Sequence, residues 1–562
     1  RYACLEKRTR LEPIMLSAMK TLLLTCAALL GAATLAAREP QAPWTADLGD
    51  GTYRNPVLWA DYSDPDVIRT GDDYWMTASS FACVPGLQIL HSTDLVNWEI
   101  VAAALPRLYD GAFDAPSHGN GVWAPSIRYH EGFYYIYWGD PDRGIYMIRS
   151  RDPRGEWSAP HLVKAARGMI DPCPLWDDDG RAYLVHGWAG SRAGFKSVLS
   201  VSEMSADGER LLGEEVLVFD GHDANPTVEG PKFYKRDGWY YIFAPAGGVK
   251  PGWQLVLRAR SPFGPYEWRR VLHQGDTPTP GPHQGGWVED VAGRSWFLHF
   301  VDEYAYGRVV HLQPMTWSDD GWCQIGEDSN SDGVGEPVAR WQKPASRTPS
   351  ALRMPAASDR FDGRTLGLQW QWAANPATGW YFHHPAAGCL RLMCVRRPDG
   401  WRNLWDTPNL LLQKVSGPDC TFTARVRFRG AYDGDRAGLV VMGEDYALLG
   451  LERRDGKTLL TLARCAEADA GTAEQSEVSV AAPDGEVWLR CRIERQRNDD
   501  GTPRMCCRFS FSRDGRRFEP LGESFVAQAG RWIGAKVGLV AEATQQRNDG
   551  GWLDVDEFLV TE

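Results

Sequence analysis

The chain has 562 residues, which is too long for one ordinary domain and predicts two or more. Charged residues make up 24% of the sequence and hydrophobic residues 43%, a balance typical of globular proteins and not of disordered chains. The net charge is −12 and no long run of lysine or arginine follows the N-terminus, which argues against a nucleic-acid-binding protein.

Aromatic residues and cysteines each leave two interpretations open. The sequence contains 25 Trp, 20 Tyr and 19 Phe, which either pack against sugar rings or fill the cores of β-sheets. Composition alone favours β-sheet cores.

The 12 cysteines are irregularly spaced and several lie in alternating strand patterns. We therefore expect mostly buried thiols with an occasional disulfide, and not a disulfide framework.

Residues 1–37 are predicted to hold sequence upstream of the true start followed by a secretory signal peptide. Lys20 precedes an apolar run from Leu22 to Leu35, and two alanines follow that run. This order is typical of a cleaved signal, and the run is too short to span a membrane stably. The protein is therefore expected to be secreted or periplasmic, with no membrane association after cleavage.

An aromatic-rich strand pattern occurs five times in the first half of the chain. Each copy is a tight turn with Gly or Asp followed by an aromatic strand, and the copies lie roughly fifty to sixty residues apart, as expected for one four-stranded propeller blade each. No long amphipathic helix pattern interrupts them. We predict an all-β, five-bladed β-propeller over residues 43–343. The five copies begin at Gly71, Glu131, Asp179, Asp237 and Ala292.

The second half of the chain follows a different pattern. Residues 344–357 lie in a stretch rich in proline, serine and basic residues and are predicted to be a linker. Beyond it, segments such as TFTARVRF from Thr421 alternate strictly between apolar and polar residues. Short alternating strands separated by turns predict a β-sandwich over residues 358–562.

Three acidic residues stand where inner propeller strands are predicted to begin: Asp64, Asp171 and Glu229. The innermost strands of all blades converge at the mouth of the axis, so these side chains are expected to meet there. Asp64 and Asp171 each precede a proline, which predicts extended backbone at both positions. Taken singly, each acid has the alternative of being a capping or turn residue, and for Asp64 alone the two interpretations are about equally favoured.

The motifs around these acids resemble those of glycoside hydrolase family 43 and occur in that family's order. They cover about residues 50 to 325 and read YRNPVLWADYSDPDVI, GVWAPSI, IDPCPLWDDDG, NPTVEGPKFYKRDGWYYIF and GPHQGGWVE. The segment SDRFDGRTLGLQWQW from Ser358 resembles the start of the concanavalin A-like jelly-roll domain of β-xylosidase-type members. The resemblance implies an inverting hydrolase that releases xylose or arabinofuranose.

The resemblance also implies a role for each carboxylate. Asp64 matches the general base, Glu229 the general acid, and Asp171 the residue that orients the acid and tunes its pKa. Inversion needs a protonated acid at the leaving oxygen and a carboxylate that activates water on the opposite face, roughly 6.5–9.5 Å apart. A third carboxylate beside the acid favours the acid's protonated form.

Four further residues match supporting positions of the family. Trp123 and Phe81 match aromatic walls of the sugar subsite, and Arg308 matches an arginine that hydrogen-bonds substrate hydroxyls. His283 matches a histidine near the propeller axis that contacts a water-coordinated calcium or other ion. A hydrogen-bonded structural histidine is the alternative for His283. No cofactor is required by the predicted chemistry, and a structural calcium ion is the one metal that the resemblance implies.

Two other classes of protein compete with this prediction. A sialidase-like glycosidase would need an arginine cluster and a Tyr–Glu pair, neither of which is visible in the sequence. A non-catalytic glycan-binding propeller would keep the aromatic residues but has no need of three carboxylates. The expected partners are oligosaccharides derived from xylan, arabinoxylan or arabinan. The choice of sugar, exo or endo action, the oligomeric state and the role of the sandwich (glycan binding, or closing the active-site rim) stay open.

Overall fold

The computed structural model describes residues 42–348, 351–546 and 548–562. The predicted signal peptide and the residues before it lie outside this part of the chain, so export stays a prediction. Within the described ranges, no helix is long and apolar enough to cross a membrane. The chain from Ala42 to Glu562 forms one compact unit.

The first half of this unit is a five-bladed propeller of antiparallel four-stranded sheets, as predicted. The first strands of the blades lie side by side around the axis, and the ring closes where the fifth blade packs against the first. A two-stranded sheet joins the two ends of the propeller. That sheet pairs β1 (Thr52–Arg54) with β22 (Arg340–Gln342). The blades are β2–β5 (Asp66–Thr70, Asp73–Thr77, Gly86–Ser92, Glu99–Leu105), β6–β9 (Trp123–His130, Phe133–Asp140, Gly144–Ser150, His161–Ala165), β10–β13 (Met169–Trp176, Ala182–Trp188, Val198–Met204, Leu211–Asp220), β14–β17 (Lys232–Arg236, Trp239–Ala246, Trp253–Ala259, Glu267–Leu272) and β18–β21 (His283–Glu289, Ser295–Asp302, Arg308–Trp317, Cys323–Ile325).

The five aromatic copies seen in the sequence are the second strands of the five blades, β3, β7, β11, β15 and β19. A second strand has a neighbour on each side within its blade and a further sheet on each face. Its side chains are therefore buried on both faces, and the sequences of these strands are continuous stretches of aromatic and β-branched residues. Tyr137 and Phe297, for example, are fully buried. This position explains why the repeat is visible in the sequence.

The second half is a β-sandwich of two sheets, also as predicted. One sheet has the order β23-β27-β37-β29-β30-β31-β32, with β26 parallel to β37, and the other has the order β24-β25-β38-β28-β33-β34-β35, with β36 beside β34. Its strands are β23 (Gln371–Trp372), β24 (Tyr381–His384), β25 (Cys389–Met393), β26 (Val395–Arg396), β27 (Leu411–Lys414), β28 (Cys420–Arg429), β29 (Arg436–Met442), β30 (Tyr446–Arg454), β31 (Lys457–Cys465), β32 (Gln475–Ala481), β33 (Glu486–Arg497), β34 (Pro503–Ser512), β35 (Glu519–Pro520), β36 (Phe525–Ala527), β37 (Lys536–Ala543) and β38 (Trp552–Thr561).

The alternation in β28 has the expected effect on burial. Phe422, Ala424 and Val426 are fully buried between the sheets, while Phe428 near the end of the strand is half-buried. Helical structure in the described chain is confined to single turns. These are Gly111–Asp114, Gly190–Ala193, Tyr304–Tyr306 and Leu404–Asp406.

Ten cysteines lie in the described part of the chain, and all of them are free thiols. Eight are buried, and Cys83 and Cys394 are half-buried. The expectation of buried thiols is therefore confirmed for these ten, and no disulfide is formed among them.

The sandwich packs directly against the propeller. Trp372 of β23 and Val84 of the first blade exchange two backbone hydrogen bonds, in which the N–H of each residue donates to the carbonyl of the other. Near the fifth blade, the N–H of Ala535 donates to the carbonyl of Ala305 at 2.7 Å. One apolar core includes residues of both halves, such as Trp138 and Trp370. The predicted linker, residues 344–357, lies between β22 and β23, and its boundaries stay a prediction.

Two lysines of the sandwich lie in this interface. The ammonium group of Lys414 donates to Oε1 of Gln88 in the propeller at 2.6 Å, and Nζ of Lys536 contacts Sγ of Cys83 at 3.0 Å. Both ammonium groups also donate to one oxygen, Oε1 of Gln371, at 3.1 Å each. Burial, and then the nearby charge of Lys536, lower the pKa of Lys414 to about 7.

This lowered pKa predicts a pH-dependent stability. The folded-state pKa of Lys414 lies below its ordinary value of 10.5, so the charged form is penalised only in the folded state. The penalty is complete below pH 7 and disappears as the pH rises toward 10.5. Lys414→Met should therefore raise the free energy of unfolding by about 2 kcal/mol near pH 6, a gain that fades toward pH 10.

Urea unfolding of both proteins across this pH range measures the difference. Lys457→Met is the matched control, because Lys457 is an exposed lysine of the same sandwich. A stability difference for Lys414→Met that is equal at pH 6 and pH 10 would contradict the expected titration.

Candidate active site

All seven side chains singled out in the sequence line one pocket of about 120 Å³ at the mouth of the propeller axis. The pocket lies where the N-terminal ends of the inner strands converge. Asp64 precedes β2, Trp123 begins β6, and Asp171 lies near the start of β10. Glu229 precedes β14 and His283 begins β18. Each blade therefore contributes to the pocket, which Phe81 and Arg308 complete.

The backbone at two of the acids is not extended, so that prediction is wrong. Asp64 has a φ of 54° and Asp171 a φ of 57°, which is the left-handed region. At Asp171 the pairing of β10 with β11 shifts register between Ile170 and Cys173, and such a bulge redirects a side chain. Aspartate is among the few residues that tolerate this region, although it costs free energy. The local twist aims both carboxylates into the pocket.

Three donors hold the carboxylate of Asp64. The hydroxyl groups of Ser63 and Ser79 donate to Oδ2 at 2.8 and 2.6 Å. The guanidinium of Arg308 lies 3.4 Å from Oδ1 and also donates to the hydroxyl of Ser63. Only 9% of the Asp64 side chain is exposed. These contacts fix the orientation of the carboxylate at the floor of the pocket.

Asp171 is linked directly to the segment that carries Glu229. Its Oδ2 accepts a hydrogen bond of 2.8 Å from the backbone N–H of Gly230, the residue after Glu229. Burial, and then the negative charges of Glu229 and Asp64, hold the pKa of Asp171 well above its usual range. The N–H of Gly230 and the charge of Lys232 act in the opposite direction. The three carboxylates are thus electrostatically coupled.

Glu229 is the most accessible of the three acids, with 26% of its side chain exposed. Its Oε1 lies 3.0 Å from Nε2 of His283, which is fully buried. His283 therefore contacts the acid itself, and its ring fixes one oxygen of the carboxyl group. An accessible carboxyl held at one oxygen is suited to exchanging a proton with a ligand in the pocket.

Aromatic rings form the walls of the pocket. Phe81 is buried and its ring meets Trp123 edge to face at 6.5 Å. The indole N–H of Trp123 donates to the carbonyl of Gly119 at 2.8 Å, which fixes the ring. Such rings offer apolar faces with polar edges, the surface that packs on a sugar ring.

A third aromatic wall comes from the sandwich and was missed in the sequence. Trp532, in the loop before β37, lines the pocket and its ring lies 6.3 Å from that of Trp123. The loop is held in place because the N–H of Gly534 donates to Asp61 of the propeller at 3.0 Å. No sequence motif links Trp532 to the propeller. The sandwich thus completes the rim of the pocket.

The residues around His283 do not form a protein-ligated metal site. Among the described residues, no group of three or more His, Cys, Asp or Glu side chains could hold a metal ion. Nδ1 of His283 has no hydrogen-bond partner, but it is a single nitrogen, whereas calcium takes six to eight oxygen ligands. A calcium held through water stays a prediction, and no step of the chemistry below depends on it.

Comparison with known proteins identifies both halves of the chain. Residues 53–323 match the family model "Glycosyl hydrolases family 43", and residues 358–561 match the model "Beta xylosidase C-terminal Concanavalin A-like domain". A protein of Xylanibacter ruminicola named putative beta-xylosidase is 39% identical over 502 residues, 89% of this chain and 88% of that protein.

Two further relatives extend the comparison. The non-reducing end alpha-L-arabinofuranosidase BoGH43B of Bacteroides ovatus is 29% identical over 435 residues, 73% of this chain and 78% of that protein. The solved structure of a xylan beta-1,4-xylosidase of Bacillus halodurans is 24% identical and has the same fold, with a TM-score of 0.79 over 91% of this chain and 100% of the other. With both family models matched in order on a five-bladed propeller and a sandwich, the chain belongs to glycoside hydrolase family 43.

Proposed function

We propose that the chain is an inverting exo-glycosidase that removes single xylose or arabinofuranose units from oligosaccharides derived from xylan, arabinoxylan or arabinan. The observation that carries this proposal is the convergence of Asp64, Asp171 and Glu229 in one small pocket walled by aromatic rings. A pocket of about 120 Å³ suits one terminal sugar better than the interior of a polysaccharide chain.

The geometry supports a different catalytic role for each of the three carboxylates. Glu229, the most exposed, gives its proton to the glycosidic oxygen as the bond to the anomeric carbon breaks. Asp64, held at the pocket floor, takes a proton from the water that attacks that carbon from the opposite face. Asp171 contacts the backbone beside Glu229 and adds a negative charge that favours the protonated acid. Arg308 orients Asp64 and offers donors to sugar hydroxyls.

The identity of the sugar follows from the relatives and not from the pocket alone. One relative is named a beta-xylosidase and another an alpha-L-arabinofuranosidase, and both align with most of this chain. We infer that both sugars are candidates, with xylose favoured by the more similar relative. The predicted signal peptide would bring the enzyme to these substrates outside the cytoplasm.

Hydrolysis should invert the configuration of the anomeric carbon, because Asp64 acts through water and not as a nucleophile. Nitrophenyl β-xyloside and nitrophenyl α-arabinofuranoside are the test substrates. Proton NMR of the first-formed sugar, recorded before mutarotation, reports the outcome. A product that keeps the starting configuration would exclude the proposed role of Asp64. If neither substrate is hydrolysed, the proposed sugars are excluded.

The three carboxylates should respond differently to substitution. Glu229→Ala should lose about 10²- to 10⁴-fold in kcat/KM on natural oligosaccharides and far less on nitrophenyl glycosides, whose leaving groups need little protonation. Asp64→Ala should lose activity on both classes of substrate, since the attacking water must be activated whatever the leaving group is. Asp171→Asn should mainly shift the pH profile and weaken acid catalysis.

Rates on both substrate classes as a function of pH separate these roles. Asp178→Asn is the matched control, because Asp178 is an exposed aspartate of the same blade. Equal losses for all three variants, independent of leaving group and pH, would instead indicate a shared structural role.

Trp532→Ala should raise KM about tenfold by removing one wall of the pocket, whereas Trp532→Phe should stay close to the unchanged enzyme. Trp268→Ala is the control, since Trp268 is a similarly exposed tryptophan that does not line this pocket. Steady-state kinetics on the nitrophenyl substrates measure the effect. Unchanged kinetics for Trp532→Ala would show that the sandwich does not contribute to sugar binding.

A further inference from the structure

Asp61 is a buried acid beside the candidate active site that the chemistry above leaves without a role. It stands three residues before Asp64, only 5% of it is exposed, and it is not among the residues that line the pocket. Each oxygen of its carboxylate accepts one backbone hydrogen bond. Oδ1 accepts from the N–H of Arg308 at 2.9 Å, and Oδ2 accepts from the N–H of Gly534 at 3.0 Å. One carboxylate therefore joins the fifth blade to a loop of the sandwich.

The first of these bonds belongs to a set that fixes Arg308. The carbonyl of Arg308 accepts a hydrogen bond of 3.0 Å from the N–H of Tyr62. The guanidinium donates to the hydroxyl of Ser63 and lies 3.4 Å from Oδ1 of Asp64. The four consecutive residues 61–64 thus contact Arg308 at its N–H, its carbonyl and its side chain. Because Arg308 orients the proposed base, its position affects the activation of water.

The second bond fixes the loop that carries Trp532. Gly534 follows two residues later and packs so closely on the fifth blade that a Cβ there would lie 2.7 Å from the backbone of Tyr306 and Gly307. Gly307 in turn lies against the acid, since a Cβ on it would lie 2.5 Å from Cγ of Asp61. The carboxylate is therefore located where the chain entering the first blade, the fifth blade and the sandwich meet.

A carboxylate is suited to holding two donors at once. When ionised it accepts hydrogen bonds at both oxygens, and such charge-assisted bonds are stronger than neutral ones. The side chain created by Asp61→Asn has the same shape but one oxygen and one NH₂ group, which cannot accept from an N–H. The substitution would therefore leave one of two buried N–H groups unpaired, a state that is rare in folded proteins.

We propose that Asp61 is a positioning residue for both chemistry and binding: one oxygen fixes Arg308 beside the base Asp64, and the other fixes the loop that brings Trp532 to the rim. This inference rests on the proposed function and adds a residue that touches neither the sugar nor the reacting atoms. The alternative is that Asp61 only stabilises the fold. The two differ in kinetics, because a loss of folded enzyme lowers the apparent kcat and leaves KM unchanged.

Asp61→Asn is the test variant, and Asp290→Asn is the matched control. Asp290 is a fully buried aspartate that does not line the pocket. Its two oxygens also accept backbone hydrogen bonds, Oδ1 from the N–H of Ala292 and Oδ2 from the N–H of Ala345, both at 2.9 Å. Steady-state kinetics on the nitrophenyl glycosides give kcat and KM separately, and thermal unfolding measures the loss of stability.

Asp61→Asn should raise KM about fivefold and lower kcat about tenfold, because both the rim and the base are displaced. Asp290→Asn should leave both constants unchanged. In a protein that already carries Trp532→Ala, Asp61→Asn should raise KM little further, since the ring that Asp61 positions is gone, but should still lower kcat. Gly534→Ala, whose added methyl group displaces the loop alone, should raise KM and leave kcat unchanged.

A fall in kcat at constant KM in Asp61→Asn would indicate a smaller folded fraction and would overturn the inference. An unchanged kcat would overturn it as well, and so would a rise in KM that is undiminished in the Trp532→Ala background. If Asp61→Asn does not fold, Asp61→Ser takes its place in the same comparison, because its hydroxyl still accepts one hydrogen bond.

The proposed function has a separate test in the same assay. If Asp64→Ala is inactive while Asp61→Asn behaves like Asp290→Asn, the role of Asp61 is wrong and the carboxylate roles stand. If Asp64→Ala keeps its activity on both nitrophenyl substrates, Asp64 is not the base, and the proposed mechanism is wrong whatever Asp61→Asn does.

Discussion

The hydrogen bond between the N–H of Gly230 and the carboxylate of Asp171 joins the third blade to the fourth at the pocket. It brings a buried acid against the segment that carries Glu229, so the charges of the two acids act on each other at short range. Burial, and then that proximity, raise the pKa of Asp171, and the protonation of either acid depends on the other. The register shift in β10 and the left-handed backbone at Asp171 place its carboxylate where it makes this contact.

Much of the fold could be predicted because burial leaves a pattern in the sequence. The second strand of each propeller blade is covered on both faces, so five aromatic runs mark five blades. The sandwich strands have one buried face, so β28 alternates between apolar and polar residues. The left-handed backbone at Asp64 and Asp171 had no such signal, because a following proline ordinarily indicates extended backbone. The surrounding strands determine that conformation, and they are remote in sequence.

The candidate site was visible in the sequence to the extent that it lies in contiguous motifs. Asp64, Asp171 and Glu229 each stand in a short motif of the propeller, and all three line one pocket. Trp532 was missed because its contact with Trp123 spans more than half of the chain and depends on how the sandwich docks. Lys232 lies inside a recognised motif, but its complete burial and its two neutral hydrogen-bond partners are revealed only by the structure.

The docking of the sandwich links the stability of the protein to the shape of its pocket. Trp532 reaches the pocket from the loop that ends at β37, and β37 begins with Lys536, one of the two lysines in the interface. A charge on Lys414 is disfavoured in that interface, so protonation of Lys414 weakens the docking of the sandwich that carries Trp532. The pocket floor is independent of this effect, because Asp64, Asp171 and Glu229 all belong to the propeller. A fall in pH through about 7, where Lys414 gains its charge, therefore acts on the rim of the pocket and not on the arrangement of the carboxylates.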